Sequence, residues 1–330
     1  MSSEVPVPRE SVSLVVPIYN EAEVIPHLIG ELETYRASRQ DIEQVILVDD
    51  GSTDESPGLI RKLTEDLDGY VLLSFSRNFG HQLAITAGLE LVTSDAAVII
   101  DADLQDPLHV ISEMIDRWHE GYEVVYGLRR KRKGEAAFKR HSATAFYRLF
   151  RWMTDVDMPL DTGDFRLVSR PVIDAYAEIG EQKPFVRGLV SWLGFKQIGV
   201  SYDRVERVAG TTKYTLRKMV GLAVDSITSF SQKPLQIAVR LGLVTAVLSV
   251  AGGISWVLLA KYVFETAISG WASLMLVITF FGGLNLFFVG LVGLYLARVF
   301  DEVRGRPRFI VRGTWRSRAS KFEETEKEVS

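Results

Sequence analysis

The chain has 330 residues, and its 38 Lys and Arg residues nearly balance its 42 Asp and Glu residues, for a net charge of −4. This balance argues against a general nucleic-acid-binding protein, so no nucleic acid is expected among its partners. The chain has no cysteine, which excludes disulfides and zinc motifs that need a cysteine ligand. Its length suffices for one large domain or two smaller ones.

Short apolar strands alternate with amphipathic helices through the N-terminal part of the chain. Strands are predicted over residues 12–16, 44–48, 70–75, 96–100 and 123–126. Helices are predicted over residues 21–36, 56–67, 82–91 and 107–119. Alternation of this kind predicts an α/β domain with a mostly parallel sheet, in which ligands bind beyond the carboxyl ends of the strands.

Polar residues follow four of these strands, at the ends where ligands would bind. The four stretches are PIYNE (17–21), VDDGSTD (48–54), SRNFG (76–80) and DADLQDP (101–107). Taken alone, Asp50-Gly51-Ser52 is explained as well by a turn as by a site. Four such ends on one edge favour a binding site. No GxGxxG follows the first strand and no Walker lysine motif occurs, so a dinucleotide-binding fold and a P-loop enzyme are disfavoured.

The end of the fourth strand is crowded with carboxylates. Asp101, Asp103 and Asp106 follow an apolar run within six positions. Like charges this close destabilise each other unless a cation lies between them, and a divalent metal prefers clustered oxygen ligands. The stretch therefore predicts a metal site. Asp106 is expected instead to cap the helix that begins at Pro107.

Two segments near the C-terminus, residues 241–260 and 271–297, contain no charged residue. Each is longer than the ~18 apolar residues that mark a transmembrane helix, and only a short stretch joins them, so they predict a hairpin. A pair of buried soluble helices is the alternative, which the length and lack of charge disfavour. Glycines in both segments would let helices approach closely within the hairpin or between subunits, so a homo-oligomer is expected.

Basic residues flank both segments on the side away from the connecting stretch, among them Lys233, Arg240, Arg298 and Arg304. The positive-inside rule therefore predicts that the α/β domain and both termini are cytoplasmic. The predicted boundaries are 1–212 for the α/β domain, 213–233 for an interfacial amphipathic helix region, 234–298 for two transmembrane helices and 299–330 for a basic juxtamembrane segment and charged tail.

Six motifs occur in a fixed order along the chain: PIYNE, VDDGSTD, RNFGHQLA, DADLQDP, GDFRLVSR and RVAGTTKY. In this order and spacing they resemble family 2 glycosyltransferases of the polyprenyl-phosphate type, which are similar to dolichol-phosphate mannose synthase. The two C-terminal segments resemble the bacterial polyprenyl-phosphate (bactoprenol) glucosyltransferase branch. The resemblance runs from about residue 12 through the hairpin.

This resemblance implies a GT-A fold (Rossmann-like, with a mostly parallel sheet) that transfers a sugar from a nucleotide donor to a membrane polyprenyl phosphate. Inversion at the anomeric carbon, a Mg²⁺ or Mn²⁺ cofactor, contact with membrane lipid and a bacterial plasma membrane location are implied with it. The branch favours glucose from UDP-glucose, while GDP-mannose, UDP-N-acetylglucosamine and a UDP-modified arabinose stay open. The alternative class is a non-catalytic nucleotide-sugar-binding or flippase subunit. A processive polysaccharide synthase is disfavoured, because the chain has no Gln-x-x-Arg-Trp motif.

The resemblance also implies roles for single residues. The nucleotide-sugar pocket would be lined by Pro17, Tyr19, Glu21, Asp49, Asp50 and Asp101. The metal ligands would be Asp101, Asp103 and Gln105. Phosphate contacts would come from Arg129, Arg166, Arg207 and Lys213. The catalytic groups would be Asp157, Asp164 and Arg129, with the two carboxylates orienting the acceptor or holding a basic residue.

Overall fold

The computed structural model describes residues 10–130, 162–204, 231, 233–259 and 271–318. Within these residues the chain forms two compact units. The first contains residues 10–130, 162–204 and 307–318, and the second contains residues 231, 233–259 and 271–306. The amphipathic helix predicted before the hairpin lies outside the described residues, apart from its last positions.

The first unit is built on one sheet, which has eight strands among the described residues. In chain order these are β1 (Val12–Ile18), β2 (Ile42–Asp49), β3 (Tyr70–Phe75), β4 (Ala96–Ile99), β5 (Val124–Arg129), β6 (Thr162–Ser169), β7 (Gln197–Tyr202) and β8 (Val311–Arg316). Its helices are α1 (Ile25–Ser38), α2 (Ser56–Thr64), α3 (His81–Glu90), α4 (His109–His119), α5 (Arg170–Ala177) and α6 (Val186–Trp192).

The strands lie in the order β7-β5-β6-β4-β1-β2-β3-β8. Strands β4, β1, β2 and β3 pair in parallel, and so do β5 and β7. Strand β6 runs antiparallel between β4 and β5, and β8 runs antiparallel beside β3. Six strands therefore end at the same side of the sheet, which we call the carboxyl edge. The predicted α/β architecture with a mostly parallel sheet is confirmed.

The central strands are mostly apolar because helices cover both faces of a parallel sheet. All seven residues of β1, VSLVVPI, are buried. Helix α3 packs against β1 so closely that a Cβ atom at Gly88 would overlap the side chain of Val15. This packing gives a rigid sheet whose carboxyl edge carries the polar loops.

Two helices begin later than the sequence predicts. Helix α1 begins at Ile25 rather than at residue 21, because the Glu21 carbonyl accepts the N–H of Val24 in a preceding turn. Helix α4 begins at His109 rather than at residue 107, and no side chain caps its N-terminus. The prediction that Asp106 caps this helix is therefore wrong.

The C-terminal segment departs most from the prediction. The sequence predicts a juxtamembrane segment and charged tail over residues 299–330, but residues 311–316 form β8 and pair with β3. An edge strand needs apolar side chains on one face only, and here Trp315 packs against the core. Because arginines surround its few apolar residues, the sequence did not indicate this strand. The α/β unit therefore continues beyond residue 212.

The second unit contains the helices α7 (Lys233–Leu259) and α8 (Trp271–Val303). Their stretches Lys233–Gly253 and Val277–Val303 have mean hydropathies of 1.8 and 2.1 and bury none of their residues within the chain. The Tyr295 hydroxyl donates to the Ser231 carbonyl at 2.7 Å, so the later part of α8 lies beside the start of α7. The two helices are candidate membrane spans, and both extend beyond the predicted segments.

Candidate active site

Two groups of polar side chains lie at the carboxyl edge. The first, called the acidic cluster, consists of Asp101, Asp103 and Asp164, whose charges act on one another. His81 lies against Asp101 and Asp164, and Arg187 lies against Asp164. The second group lines a cavity beyond the ends of β2 and β3. The acidic cluster joins residues that the sequence assigned separately to the metal and to catalysis.

Asp164, on β6, is the centre of the acidic cluster. Its Oδ2 accepts hydrogen bonds from Nε2 of His81 at 3.1 Å and from Nε2 of Gln82 at 3.2 Å, both at the start of α3. On α6, Nε of Arg187 lies 3.1 Å from Oδ1. Gln82 is held in turn, because the N–H of Val186 donates to its Oε1 at 2.9 Å. One carboxylate therefore ties together β6, α3 and α6.

The two carboxylates beside His81 differ in charge behaviour. Nε2 of His81 lies 3.5 Å from Oδ1 of Asp101. Burial raises the pKa of Asp101 to about 6; the charge of Asp164 adds to the rise, and His81 opposes it. Burial would also raise the pKa of Asp164, but Arg187 and His81 hold it well below its ordinary value. Asp164 is thus firmly ionised, whereas Asp101 is a carboxylate that an added cation would stabilise.

The histidine is drawn toward its charged form by the same neighbours. Burial works against the charge of His81, but the hydrogen bond to Asp164 and the charge of Asp101 together raise its pKa. Because the Asp164 carboxylate is ionised, Nε2 of His81 is the donor in their hydrogen bond. His81 therefore lies within ion-pair distance of both carboxylates.

Asp101 and Asp103 have the oxygen chemistry that Mg²⁺ and Mn²⁺ prefer. They follow β4 two positions apart, and the N–H of Gln105 donates to Oδ1 of Asp103 at 3.1 Å. Among the residues that the structure describes, no three His, Cys, Asp or Glu side chains converge as a complete metal site. Mg²⁺ is commonly held by one or two carboxylates together with substrate phosphates and water. These residues therefore fit a metal that shares its ligands with a bound diphosphate.

Two loops of the carboxyl edge contain a non-glycine residue with a positive φ. Asn20, after β1, and Leu104, between Asp103 and Gln105, both have a φ of 53°. Asparagine tolerates this conformation, whereas a leucine in it costs about 1–2 kcal/mol. Strain of this kind is concentrated at functional sites, where the surrounding structure enforces it. The strained Leu104 therefore supports the assignment of the metal-site loop.

Arg129 pairs with Asp106, the residue that the sequence predicts to cap α4. Its Nε donates to the hydroxyl of Tyr202 at 3.2 Å, and its Nη2 lies 3.7 Å from Oδ1 of Asp106. The Tyr202 hydroxyl donates to the same carboxylate oxygen. The guanidinium also lies against Gly163, where a Cβ atom would come within 2.5 Å of Nη2. Asp106 is thus a buried counter-charge that positions Arg129 at the carboxyl edge.

A cavity of about 330 Å³ opens beyond β2 and β3. Tyr19 and Asp49, both predicted to line the nucleotide-sugar pocket, line this cavity. The Tyr19 ring is open to a ligand, because the residue is 41% exposed. Two other predicted pocket residues, Pro17 within β1 and Glu21 ahead of α1, are not among its lining residues. Its further lining includes Ser52, Arg61, Arg77, Asn78 and Arg312.

Asp50 supports the wall of the cavity rather than lining it. Its Oδ1 accepts the N–H of Phe79 at 2.7 Å, and its Oδ2 accepts a hydrogen bond from Nδ2 of Asn78 at 2.9 Å. Gly51 has a φ of 67° and lies against the backbone of Arg77, where a Cβ atom would overlap the carbonyl carbon. The Asp-Gly pair is therefore a turn, and this turn shapes the site.

Of four further predicted site residues, the structure describes only Arg166. Arg166 is only 3% exposed, its Nη2 donates to the Gly163 carbonyl at 3.1 Å, and burial lowers its pKa to about 10. This burial does not fit a direct phosphate contact. The other three, Asp157, Arg207 and Lys213, lie outside the described residues.

Among the basic residues at the carboxyl edge, the sequence did not assign His81, Arg187 or Arg312 to the site. His81 stands in the RNFGHQLA motif, and its place just after a glycine at a helix start was a usable signal. Arg187 had no local signal, because its partner Asp164 is distant in sequence and meets it only in the fold. Arg312 was concealed in the predicted tail.

The motifs at this edge belong to a known family. The model of Glycosyl transferase family 2 matches residues 13–177, from β1 through α5. A Bacillus subtilis protein named as an uncharacterized glycosyltransferase is 46% identical, over 92% of this chain and 94% of the relative. This chain belongs to glycosyl transferase family 2. The glycosyltransferase is thus an enzyme with a GT-A-like fold, as the sequence motifs predict.

Other relatives match along nearly their whole length. A prophage bactoprenol glucosyl transferase homolog of Escherichia coli is 37% identical, over 91% of this glycosyltransferase and 98% of the relative. The bactoprenol glucosyl transferase of Shigella phage SfII is 36% identical, over 92% and 98%. Among solved structures, the mannosyltransferase PcManGT from Pyrobaculum calidifontis, in complex with GDP-Man and Mn²⁺, is 16% identical over 90% of this chain and 86% of that chain, with a TM-score of 0.48.

Proposed function

We propose that this glycosyltransferase transfers glucose from UDP-glucose to a membrane polyprenyl phosphate, with inversion, giving polyprenyl-phosphate glucose and UDP. The observation that carries the proposal is the match with two proteins named for bactoprenol glucosyl transfer over 91% and 92% of this chain. A match of that length extends through both apolar helices as well as the α/β unit. The chemistry at the carboxyl edge fits the same reaction.

The acceptor in this proposal needs no general base. A phosphate monoester has a second pKa of about 6, so at neutral pH its attacking oxygen carries no proton. That oxygen forms a bond to the anomeric carbon while the bond from this carbon to UDP breaks on the opposite face. The difficulty is electrostatic, because one anion must approach another. Arg129 would bind a phosphate oxygen, and Arg207 and Lys213 would add further positive charge.

The acidic cluster would hold the donor diphosphate. Asp101, Asp103 and Gln105 would bind Mg²⁺ or Mn²⁺, which when bound neutralises the charge of the leaving nucleoside diphosphate. Asp164 would keep His81 beside Asp101 and would orient Arg187 at the same edge. Asp157 would join Asp164 in orienting the acceptor.

The two apolar helices would anchor the enzyme in the plasma membrane of a bacterium, with the α/β unit and both termini in the cytoplasm. The acceptor would then lie in the same membrane as the anchor, so that lipid and enzyme diffuse in one plane. The hairpins would also join copies of the chain into a homo-oligomer, because their glycines allow close helix packing.

The test uses the full-length protein purified in detergent or nanodiscs. UDP-glucose that carries a label on its glucose is supplied with a polyprenyl phosphate and Mg²⁺. Both the release of UDP and the label in the lipid extract are measured. We expect labelled lipid only when both substrates and the metal are present. Parallel arms replace the donor with GDP-mannose, UDP-N-acetylglucosamine or a UDP-modified arabinose. Transfer from one of these alone would refute glucose as the sugar, and binding of donors without any lipid product would favour the non-catalytic alternative.

A further inference from the structure

The strand that follows the second apolar helix is firmly attached to the α/β unit. Before β8, the ring of Phe309 stacks on Phe75 with centroids 4.9 Å apart. Nη2 of Arg308 donates to Oε1 of Glu90 at 2.6 Å. After β8, the N–H of Ser317 donates to the carbonyl of the first residue of β3 at 3.1 Å. Contacts at both ends therefore fix the register of β8.

The pairing of β8 with β3 contains a bulge at Arg312. Val311 lies opposite Phe75 and Gly313 lies opposite Ser74, so Arg312 is the extra residue without a partner on β3. Bulges are frequent beside active sites, where they redirect a side chain that regular pairing would aim elsewhere. Arg312 lines the cavity that also contains Tyr19 and Asp49.

The chemistry of this cavity suits a nucleoside. Asp49 offers a carboxylate, which the N–H of Ser52 fixes by donating to its Oδ1 at 2.9 Å. Such a carboxylate accepts hydrogen bonds from ribose hydroxyls or a base N–H. The Tyr19 ring offers a flat apolar face. Arg312 offers a planar fork of N–H donors, and such a fork pairs with the carbonyl oxygens of a base.

Within this cavity, Arg312 is far from the place where a diphosphate would bind. Asp101 follows β4 and Arg312 is on β8, with β1, β2 and β3 between them. At about 4.8 Å per strand, the two strands lie roughly 19 Å apart, a separation that the long Arg312 side chain shortens. A donor whose diphosphate lies beside Asp101 therefore extends its nucleoside, rather than its phosphates, toward Arg312.

We propose that Arg312 binds the nucleoside of the donor and is a specificity-determining residue of the glycosyltransferase. The inference rests on the proposed function, because it takes a nucleotide sugar as the ligand. The segment beyond the membrane helices thus completes the donor pocket, and the bulge in β8 is the feature that aims Arg312 into it.

The experiment measures nucleotide binding by the full-length protein with calorimetry or ligand-observed NMR, without acceptor. UDP and UMP are titrated in the presence of Mg²⁺ against wild type, Arg312→Ala, Arg312→Lys and the matched control Arg316→Ala. Arg316 is exposed on the same strand and lies opposite Val71, away from the cavity. Thermal unfolding of each variant identifies any loss of fold.

We expect Arg312→Ala to raise the Kd for UDP and for UMP by the same factor, at least fivefold, because the contact is to the part that both ligands share. Arg316→Ala should change each Kd less than twofold. The inference would be overturned if Arg312→Ala and Arg316→Ala had equal Kd values. It would also be overturned if Arg312→Ala weakened the binding of UDP but not of UMP. If Arg312→Ala unfolds, a Kd unchanged in a folded Arg312→Lys would overturn it, since lysine lacks the planar fork. Wild type that binds neither ligand would overturn the proposed function itself.

Discussion

Replacing Gly163 with alanine should displace Arg129 without altering its chemistry. A Cβ atom at residue 163 would lie 2.5 Å from Nη2 of Arg129, whereas ordinary contact begins at 3.4 Å, so the guanidinium must move by about 0.9 Å. That movement would disturb its 3.2 Å hydrogen bond with Tyr202. A misplacement of about 1 Å at a reacting group can cost up to about 10²-fold in rate. We therefore expect kcat/KM for the polyprenyl phosphate to fall about 10- to 100-fold.

Stability should change little in the same variant. The displaced atom is the far end of a long, partly exposed side chain, and the main chain at residue 163 is not in the left-handed region. An alanine also lowers the conformational entropy of the unfolded chain, which favours the folded state. The free energy of unfolding should therefore stay within about 1 kcal/mol of wild type. Gly180→Ala is the matched control, because no atom lies within 4 Å of the Cβ that it would add.

A double-mutant cycle tests whether Gly163→Ala lowers the rate by displacing Arg129. UDP release is measured at varied acceptor concentration for Gly163→Ala, Arg129→Ala and the pair, and thermal unfolding is measured for each. If the alanine acts through Arg129, adding it to Arg129→Ala should produce little further loss. Losses that multiply in the double variant, or an unchanged rate in Gly163→Ala, would refute the assigned position of Arg129.

Four other predictions concern the metal-site loop, the turn at Gly51, the membrane topology and the acceptor. Asp103→Asn should lower kcat about 10²- to 10³-fold, the usual effect of losing one charge-stabilising contact; full activity of wild type in EDTA would contradict the metal assignment. Gly51→Ala should cost at least about 1–2 kcal/mol, because its φ of 67° disfavours a side chain, and an unchanged melting temperature would count against it. A cysteine replacing Ser269, between the apolar helices, should react with an impermeant thiol reagent outside intact cells, and one replacing the exposed Ala37 should not. Asp164→Asn should keep the acidic limb of kcat/KM near pH 6, because the limb belongs to the acceptor phosphate; its disappearance with measurable turnover would identify a general base.

The sequence predicts well those features that are local. Strands β1 to β4 are short apolar runs bounded by turn residues, so their alternation with helices was visible, and β3 has the predicted bounds. Asp49 is the last residue of β2, and Asp101 lies two residues after β4. The carboxyl edge of a parallel sheet gathers these positions whatever the rest of the fold does.

Features that depend on distant partners were not predictable in the same way. Asp106 precedes a proline and a helix, which is the pattern of a cap. Its carboxylate instead accepts a hydrogen bond from Tyr202 and pairs with Arg129. β8 carries few apolar residues because only one face of an edge strand is covered. In both cases the deciding contact joins residues far apart in sequence, and no local pattern records it.

Because β8 comes after both apolar helices, synthesis of the chain separates two neighbouring strands by the time needed to make 236 residues, from Phe75 to Val311. At about 5–20 residues per second this is roughly 10–50 s, during which one edge of the growing sheet has no partner. Unpaired edges invite pairing with other chains, so the nascent protein passes through an aggregation-prone stage while its hairpin is being made. Truncation before residue 307 would make that stage permanent. Expression of the α/β unit as a soluble fragment should therefore require the C-terminal strand to be supplied within the same chain.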